Sequence, residues 1–295
     1  NVRDGKFSLT RDAMTVTDRL ALLNGAALWL KADENVIAAE GKVMGWLDCR
    51  ETATSAPYER YHGYVINTVE GEPHPQVVDG PLGKAVDFKG YGSGNALVIS
   101  AAEDEKFPTT IDNVQDVFIV HTVTDCKNWG FLVGEAGTGY HPQNANANES
   151  TCYGRTDRAL WFNSRWWING VEIDAVKTVV ENGDFVYDMR HYDVTKAQIK
   201  GVALYTNSTD PADLPERNGG DLVYEMLVFA TPLTEAEHAE ERQYLLDKYL
   251  KNGPVSIEIN VADGACVDIA EGLANVKVNN ASSLGYAISC DVTDN

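Results

Sequence analysis

Glu172 and Asp174 stand two residues apart in Trp166-Trp-Ile-Asn-Gly-Val-Glu-Ile-Asp, a stretch with the alternation of a β-strand. Alternation places both carboxyls on one strand face. Two acids about 5 Å apart are what retaining glycoside hydrolysis needs, one as nucleophile and one as proton donor. A catalytic strand of that kind spaces all its acids along the same face, and the next two positions here are Val176 and Thr178. The series stops at two, so the segment reads as a hairpin turning at Asn169-Gly170, the strongest short-range turn signal in the chain.

Three other groups have the side chains for recognition. Trp161, Trp166 and Trp167, with Phe162, Asn163 and Arg165, form the densest aromatic cluster. Aromatic faces stack on the C–H surfaces of sugar rings while a few polar side chains fix hydroxyls. Neighbouring strand residues point to opposite faces, so one of Trp166 and Trp167 belongs to the core, and the other faces the second sheet surface or solvent. Simple packing is the competing reading of the cluster. Trp129 with Tyr140-His141 forms the second group, where a lone loop histidine serves either a ligand or the local hydrogen-bond structure. The third is Asp184-Phe-Val-Tyr-Asp-Met-Arg-His-Tyr-Asp, in which Asp188, Arg190, His191 and Asp193 either clamp a hydroxyl-rich ligand or form a strand-surface ion network. There is no nucleophile elbow, and Gly90-Tyr-Gly-Ser-Gly lacks the helix that a phosphate loop opens into.

Bulk properties narrow the partners. The chain has 295 residues, 44 acidic against 24 basic, for a net charge of −20. That charge repels phosphate backbones and anionic membrane surfaces, so nucleic acid is not an expected partner. The surplus serves solubility or supplies oxygen ligands to calcium, which is the one cofactor the composition suggests. No apolar run approaches the roughly 18 residues of a bilayer span, and membrane insertion is not expected. Asn1-Val-Arg-Asp has neither the apolar core nor the initiating Met of a signal peptide, and the chain reads as a piece of a longer polypeptide. Five cysteines, at 49, 126, 152, 266 and 290, include no C-x-x-C pair, which argues against zinc. Cys126 with Cys152 and Cys266 with Cys290 are spaced to bridge, leaving Cys49 unpaired; free buried thiols throughout are the alternative.

The elements that must position these groups are mostly short strands. Residues 1–25 form a lead with a strand-like Lys6-Phe-Ser-Leu-Thr and a short helix, Asp18-Arg-Leu-Ala-Leu-Leu, ending at Asn24-Gly25. From there to 252, brief apolar or alternating runs are broken by Gly, Asn, Asp and Pro, the pattern of a sandwich. Residues 52–81 and 134–157 are too long for hairpin turns and rich in Tyr, His and Asn. Residues 253–295 alternate strictly and are too few for a core of their own. They resemble the rungs of secreted β-helix proteins, or form a small strand set docked on the preceding domain.

Four blocks carry a resemblance to a known family. Ala27-Leu-Trp-Leu-Lys-Ala-Asp, Gly41-Lys-Val-Met-Gly-Trp-Leu-Asp and Gly83-Lys-Ala-Val-Asp-Phe-Lys-Gly precede Asp221-Leu-Val-Tyr-Glu-Met-Leu-Val-Phe, which leads through Thr231-Pro-Leu into an acidic helix. Thr234 with Glu237 marks that helix's start, and Ala239, Tyr244, Leu245, Tyr249 and Leu250 give its apolar spacing. Over residues 26–252 the chain resembles the concanavalin A-like (LamG-like) jelly-roll family. The resemblance implies an all-β, antiparallel jelly-roll β-sandwich closed by one C-terminal helix over 234–250. It also implies a non-catalytic carbohydrate-binding or adhesion module of a large secreted or cell-surface bacterial protein, with a glycan or glycoprotein as partner. A spacer that binds no sugar and a glycoside hydrolase of the same fold are the rivals. Trp29, Trp46, Phe88, Val117, Ile119, Leu132, Leu204, Leu227 and Phe229 are the expected core. The expected ligand concavity is lined by Trp129, Tyr140, His141, Trp161, Arg165 and one of Trp166 or Trp167.

Overall fold

A computed structural model describes residues 2–3, 6–8, 16–50, 62–65, 74–89, 97–100, 111–112, 114–124, 133–135, 138–140, 164–174, 178, 181–191, 198–199, 203–204, 221–250, 257–261, 266–268 and 276–280, with side chains in part of that set. The chain divides into two compact units, Met14–Leu250 and a smaller one that joins Asn1–Ala13 to Lys251–Asn295. In chain order the elements are β1 (Val2–Arg3), β2 (Lys6–Ser8), α1 (Val16–Asn24), β3 (Leu28–Lys31), β4 (Val36–Ala39), β5 (Lys42–Trp46), β6 (His62–Val65), β7 (Gln76–Gly80) and β8 (Gly83–Asp87). There follow β9 (Leu97–Ser100), β10 (Ile111–Asp112), β11 (Asp116–Val123), β12 (Val133–Glu135), β13 (Thr138–Tyr140), β14 (Ser164–Ile168), β15 (Val171–Ile173) and β16 (Gly183–His191). The remainder are β17 (Gln198–Ile199), β18 (Ala203–Leu204), β19 (Asp221–Phe229), α2 (Glu235–Leu245), β20 (Ile257–Val261), β21 (Cys266–Asp268) and β22 (Val276–Asn280).

The smaller unit contains an antiparallel β1–β2 hairpin, a parallel β2–β21 pair and a parallel β20–β22 pair. In the larger unit every strand pair among the described residues is antiparallel. One run of neighbours is β13-β12-β18-β9-β6-β5, with β4 beside β5; the other is β7-β8-β19-β11-β16-β14-β15, with β3 beside β19. A single residue pair, Lys42 with Gln76, joins the two runs.

The core shows why this is a sandwich. Val43 and Trp46 of β5 and Leu97 and Ile99 of β9 share one buried cluster with Leu28, Leu30, Val117, Ile119, Trp166, Met189, Met226 and Val228 from the second run. β5 and β9 are not hydrogen-bonded to β3, β11, β14, β16 or β19, so the two runs face each other across these side chains. The alternate residues of the same strands, Trp29, Phe118, Val120, Val186, Leu227 and Phe229, point the other way. They pack against Leu23 of α1 and Leu245, Leu246 and Tyr249 at the C-terminal helix. The second sheet is therefore covered on both faces. That is why Val117-Phe-Ile-Val and Met226-Leu-Val-Phe are continuous apolar runs instead of alternating ones.

The fold is an all-β antiparallel sandwich with its substantial helix near residue 250, as expected. Trp29, Trp46, Phe88, Val117, Ile119, Leu227 and Phe229 are buried; the side chains of Leu132 and Leu204 lie outside the described residues. Asn169 and Gly170 have φ of 50° and 80°, both positive as a two-residue hairpin of this hand requires. Ile168 pairs with Val171 across the turn.

The helix starts where the sequence places it. Thr234 Oγ1 accepts from Glu237 N–H at 3.1 Å and Glu237 Oε2 accepts from Thr234 N–H at 2.7 Å, the reciprocal cap of an S/T-x-x-E start. Its buried face, however, differs from the apolar spacing. Ala239 and Tyr244 are exposed, whereas His238, Glu241 and Leu245 are buried, followed by Leu246 and Tyr249 in a wider π-helical turn, Leu246–Leu250. Three of the residues that turn inward, His238, Glu241 and Tyr249, are titratable.

Candidate functional site

Among the described residues, three clusters of buried polar groups in the larger unit are built from residues far apart in the chain, beside a more local one in which Asp48 N–H donates to His62 Nδ1 and the Asp48 carboxylate accepts from Arg50. The first lies under α2. His238 Nδ1 is 2.6 Å from Asp116 Oδ1 on β11, and its Nε2 is 2.8 Å from Asp188 Oδ2 on β16. Arg242, one turn along α2, donates to the same Asp188 oxygen through Nε at 2.7 Å. Asp116 Oδ2 accepts from Leu233 N–H at 2.9 Å, and Arg190 donates to Leu233 O at 2.6 Å, which fixes the approach to the helix. The indole of Trp167 lies against this set, 5.2 Å from the His238 ring and 4.0 Å beneath the Arg242 guanidinium. Burial opposes the charge on the imidazole, but its hydrogen bonds to both carboxylates hold its pKa above the ordinary value.

The second cluster centres on Glu225, in the middle of β19. It accepts from Trp29 Nε1 at 2.8 Å, Lys248 Nζ at 2.7 Å and Tyr249 Oη at 2.7 Å. Nearby, Glu241 receives Arg19 of α1 through two bonds of 3.0 and 2.7 Å. Arg19 also lies 3.4 Å over the Tyr244 ring. Burial, reinforced by the Glu225 charge, lifts the Glu241 carboxyl to about 7 against the pull of Arg19. This cluster ties α1, α2 and β19 together.

The third is His121, whose Nδ1 lies 2.9 Å from Asp221 Oδ2, both side chains being fully enclosed. Tyr187 meets the His121 ring edge-on at 4.6 Å. Thr122, the next residue, donates to Asp184 and shares a hydrogen bond with the hydroxyl of Tyr224. The carboxylates and imidazoles at the centres of the three clusters are buried, while Arg19, Arg242 and Lys248 are partly exposed.

The residues singled out in the sequence are distributed as follows. Trp166 is buried between the sheets, and Trp167 is buried on the opposite face under α2, as strand alternation requires. Arg165 is exposed. It grips Glu172 through two bonds of 3.0 and 2.8 Å, approaches Glu235 at 3.5 Å and lies 4.8 Å from the Trp167 ring. Tyr140 closes β13, with its side chain outside the described residues; Trp129, His141 and Trp161 lie outside them altogether. In the third sequence group, Asp188 and Arg190 are brought to α2 and Asp184 to Thr122. The side chain of His191 and all of Asp193 lie outside the described residues. His121, His238, Glu225 and Glu241 did not stand out from sequence. A polar residue in the midst of Val117-Phe-Ile-Val-His-Thr-Val or Leu222-Val-Tyr-Glu-Met-Leu was the available signal, since a charge inside a doubly covered strand needs a partner.

Cys49 is a free, buried thiol whose pKa burial pushes up to about 11, which leaves it unreactive at neutral pH. Among the described residues no three His, Cys, Asp or Glu side chains converge to hold a metal ion. Among the same residues no helix is long and apolar enough to cross a membrane.

No family model, curated protein or solved structure matches the chain.

Proposed function

We propose that the chain is a non-catalytic carbohydrate-binding or adhesion module of the concanavalin A-like class, carried on a larger secreted or cell-surface protein and binding a glycan or glycoprotein. The observation that carries the non-catalytic part is the state of Glu172. Its carboxylate is half-exposed and clamped by Arg165, which holds its pKa below the ordinary value. A glycosidase's proton donor requires the reverse, a carboxyl lifted by an apolar or anionic setting. Among the described residues Glu241, raised to about 7, is 1% exposed and bonded to Arg19, and Asp48, also raised, is buried and bonded to Arg50, so neither carboxyl is presented to a substrate.

The binding part rests on the sandwich and on the composition of residues 52–81 and 134–157, which are rich in Tyr, His and Asn. Expected as long loops, these stretches instead carry β6 and β7 in the first and part of β12 with β13 in the second, so the loops available for recognition are the shorter segments between those strands. Stacking by Tyr140 and Trp161 with hydroxyl contacts from His141 and Arg165 is the proposed mode of recognition. A glycan array run with and without calcium tests it. Binding to a defined glycan class that is lost on joint Tyr140→Ala and His141→Ala substitution is expected. Silence across plant, algal and host glycans would favour the spacer. Incubation with β-glucans, galactans and mucin glycans should release no reducing ends, and turnover abolished by Glu172→Gln would establish the hydrolase instead.

A further inference from the structure

We propose that α2 is a proton-held strap, docked on the outer face of the second sheet by a charged His238 and released when that residue loses its proton. The geometry demands the charge. A neutral imidazole has one N–H and one lone pair, yet each nitrogen of His238 lies within 2.8 Å of a carboxylate oxygen. Only the imidazolium donates to both. With His238 charged, Asp116, Asp188, His238 and Arg242 sum to zero net charge, the condition under which buried ions are tolerated. Removal of the proton leaves one uncompensated negative charge and turns a lone pair toward an oxygen.

The strap's other contacts place this proton at its anchor point. Asp116 comes from β11, Asp188 and Arg190 from β16, Trp167 from β14, and Arg242 from α2 itself. Arg190 also faces Glu235 at 3.9 Å, and Arg165 faces the same carboxylate at 3.5 Å. Arg165 is exposed and Arg190 largely buried, and both guanidiniums retain their charge across the physiological range. One turn further along α2, Glu241 faces Arg19 of α1, with Glu225 of β19 and Lys248 close by.

Both titrations act in one direction. His238 binds its proton more tightly in the folded chain than an unfolded histidine does, so its stabilisation is complete below about pH 6.5. It is lost as pH rises through the higher folded value. Glu241 has a folded value of about 7 against an ordinary 4.5, so its contribution also falls as pH climbs through that interval. The strap is tightest in mild acid and loosens above neutrality. When it lifts, Phe118, Val120, Val186, Leu227 and Phe229 lose their cover.

Hydrogen–deuterium exchange of the full chain between pH 6 and 9, corrected for intrinsic rates, tests the strap. The open fraction of residues 238–249 should rise by up to about tenfold per pH unit between the unfolded histidine value near 6.5 and the higher folded value of His238, and level off above it, ahead of the amides of β11 and β19. Asp116→Asn supplies an amide donor to Nδ1 while its oxygen keeps the bond from Leu233 N–H, so a neutral imidazole is accommodated and this rise should flatten while α2 remains docked. His238→Gln should raise opening at pH 6 and remove the same dependence, and Glu241→Gln should remove only the part below about pH 7. Imidazole ¹⁵N shifts at pH 6.5, where an unfolded histidine is half-protonated, should show His238 predominantly protonated on both nitrogens, a readout that needs no variant. A neutral His238 tautomer at that pH, flat exchange in the unsubstituted chain, or a slope unchanged in Asp116→Asn would overturn the proposal.

Discussion

Replacing Glu225 with Gln changes almost no volume and removes one charge from the centre of β19. The carboxylate is 1% exposed and accepts three hydrogen bonds, from Trp29, Lys248 and Tyr249. A glutamine oxygen can keep the bond from the Trp29 indole. Its NH₂ then faces the Lys248 ammonium, which has no lone pair to offer, and the Tyr249 hydroxyl, which must reverse. Hydrogen bonds to a charged group contribute roughly 1.5–3 kcal/mol each and neutral ones about 1. Lys248 is 27% exposed and finds water, which limits the loss on its side, so a net cost of about 3 kcal/mol is expected. For a unit of this size that corresponds to a drop of about 6–12 °C in melting temperature. Denaturant titration and calorimetry at pH 7.5 measure it. Tyr249→Phe alone should cost about 1 kcal/mol, and the double variant should lose less than the sum, since both changes break the same bond. Glu241 should also titrate lower once the neighbouring charge is gone. A cost below about 1 kcal/mol for Glu225→Gln, or strict additivity with Tyr249→Phe, would refute the view that this carboxylate ties the helix to the sheet.

Two further changes test the local elements. Gly170→Ala forces a side chain onto φ of +80° and brings its Cβ within 3.0 Å of Leu246 Cδ1; a cost of about 1–2 kcal/mol is expected by denaturant titration, with the hairpin retained. Thr234→Ala removes the reciprocal cap of α2 and should cost about 1 kcal/mol, while Thr234→Ser should remain close to the parent.

Features set by a few adjacent residues were legible in the chain. Asn169-Gly170 needs only its own backbone preference to turn, and in the structure Asn169 Oδ1 adds a bond from Val186 N–H at 2.8 Å. Thr234 and Glu237 cap a helix start through contacts three residues apart. Lys6-Phe-Ser-Leu-Thr and the alternating residues 253–295 announce strands without saying which neighbours they take. The candidate ligand residues were chosen on type. Of those with described side chains, Trp166 and Trp167 are enclosed on opposite faces of one strand and Arg165 remains at the surface.

What sequence by itself determined here is the class of element at each place: a two-residue hairpin, a capped helix, and strands with apolar faces, each the outcome of energies local to a few bonds. Which face of α2 turns inward was decided only in three dimensions. Hydrophobic spacing assigns Ala239 and Tyr244 to the core and His238 and Glu241 to water, because it treats a titratable side chain as one that must stay hydrated. Burial of those two groups is stable only when partners arrive from elsewhere. Asp116 lies 122 residues from His238, Asp188 lies 50 away, and Arg19 lies 222 from Glu241. No window along the chain contains both members of such a pair, and the Coulomb and hydrogen-bond energies that offset desolvation exist only once the sandwich has brought them within 3 Å.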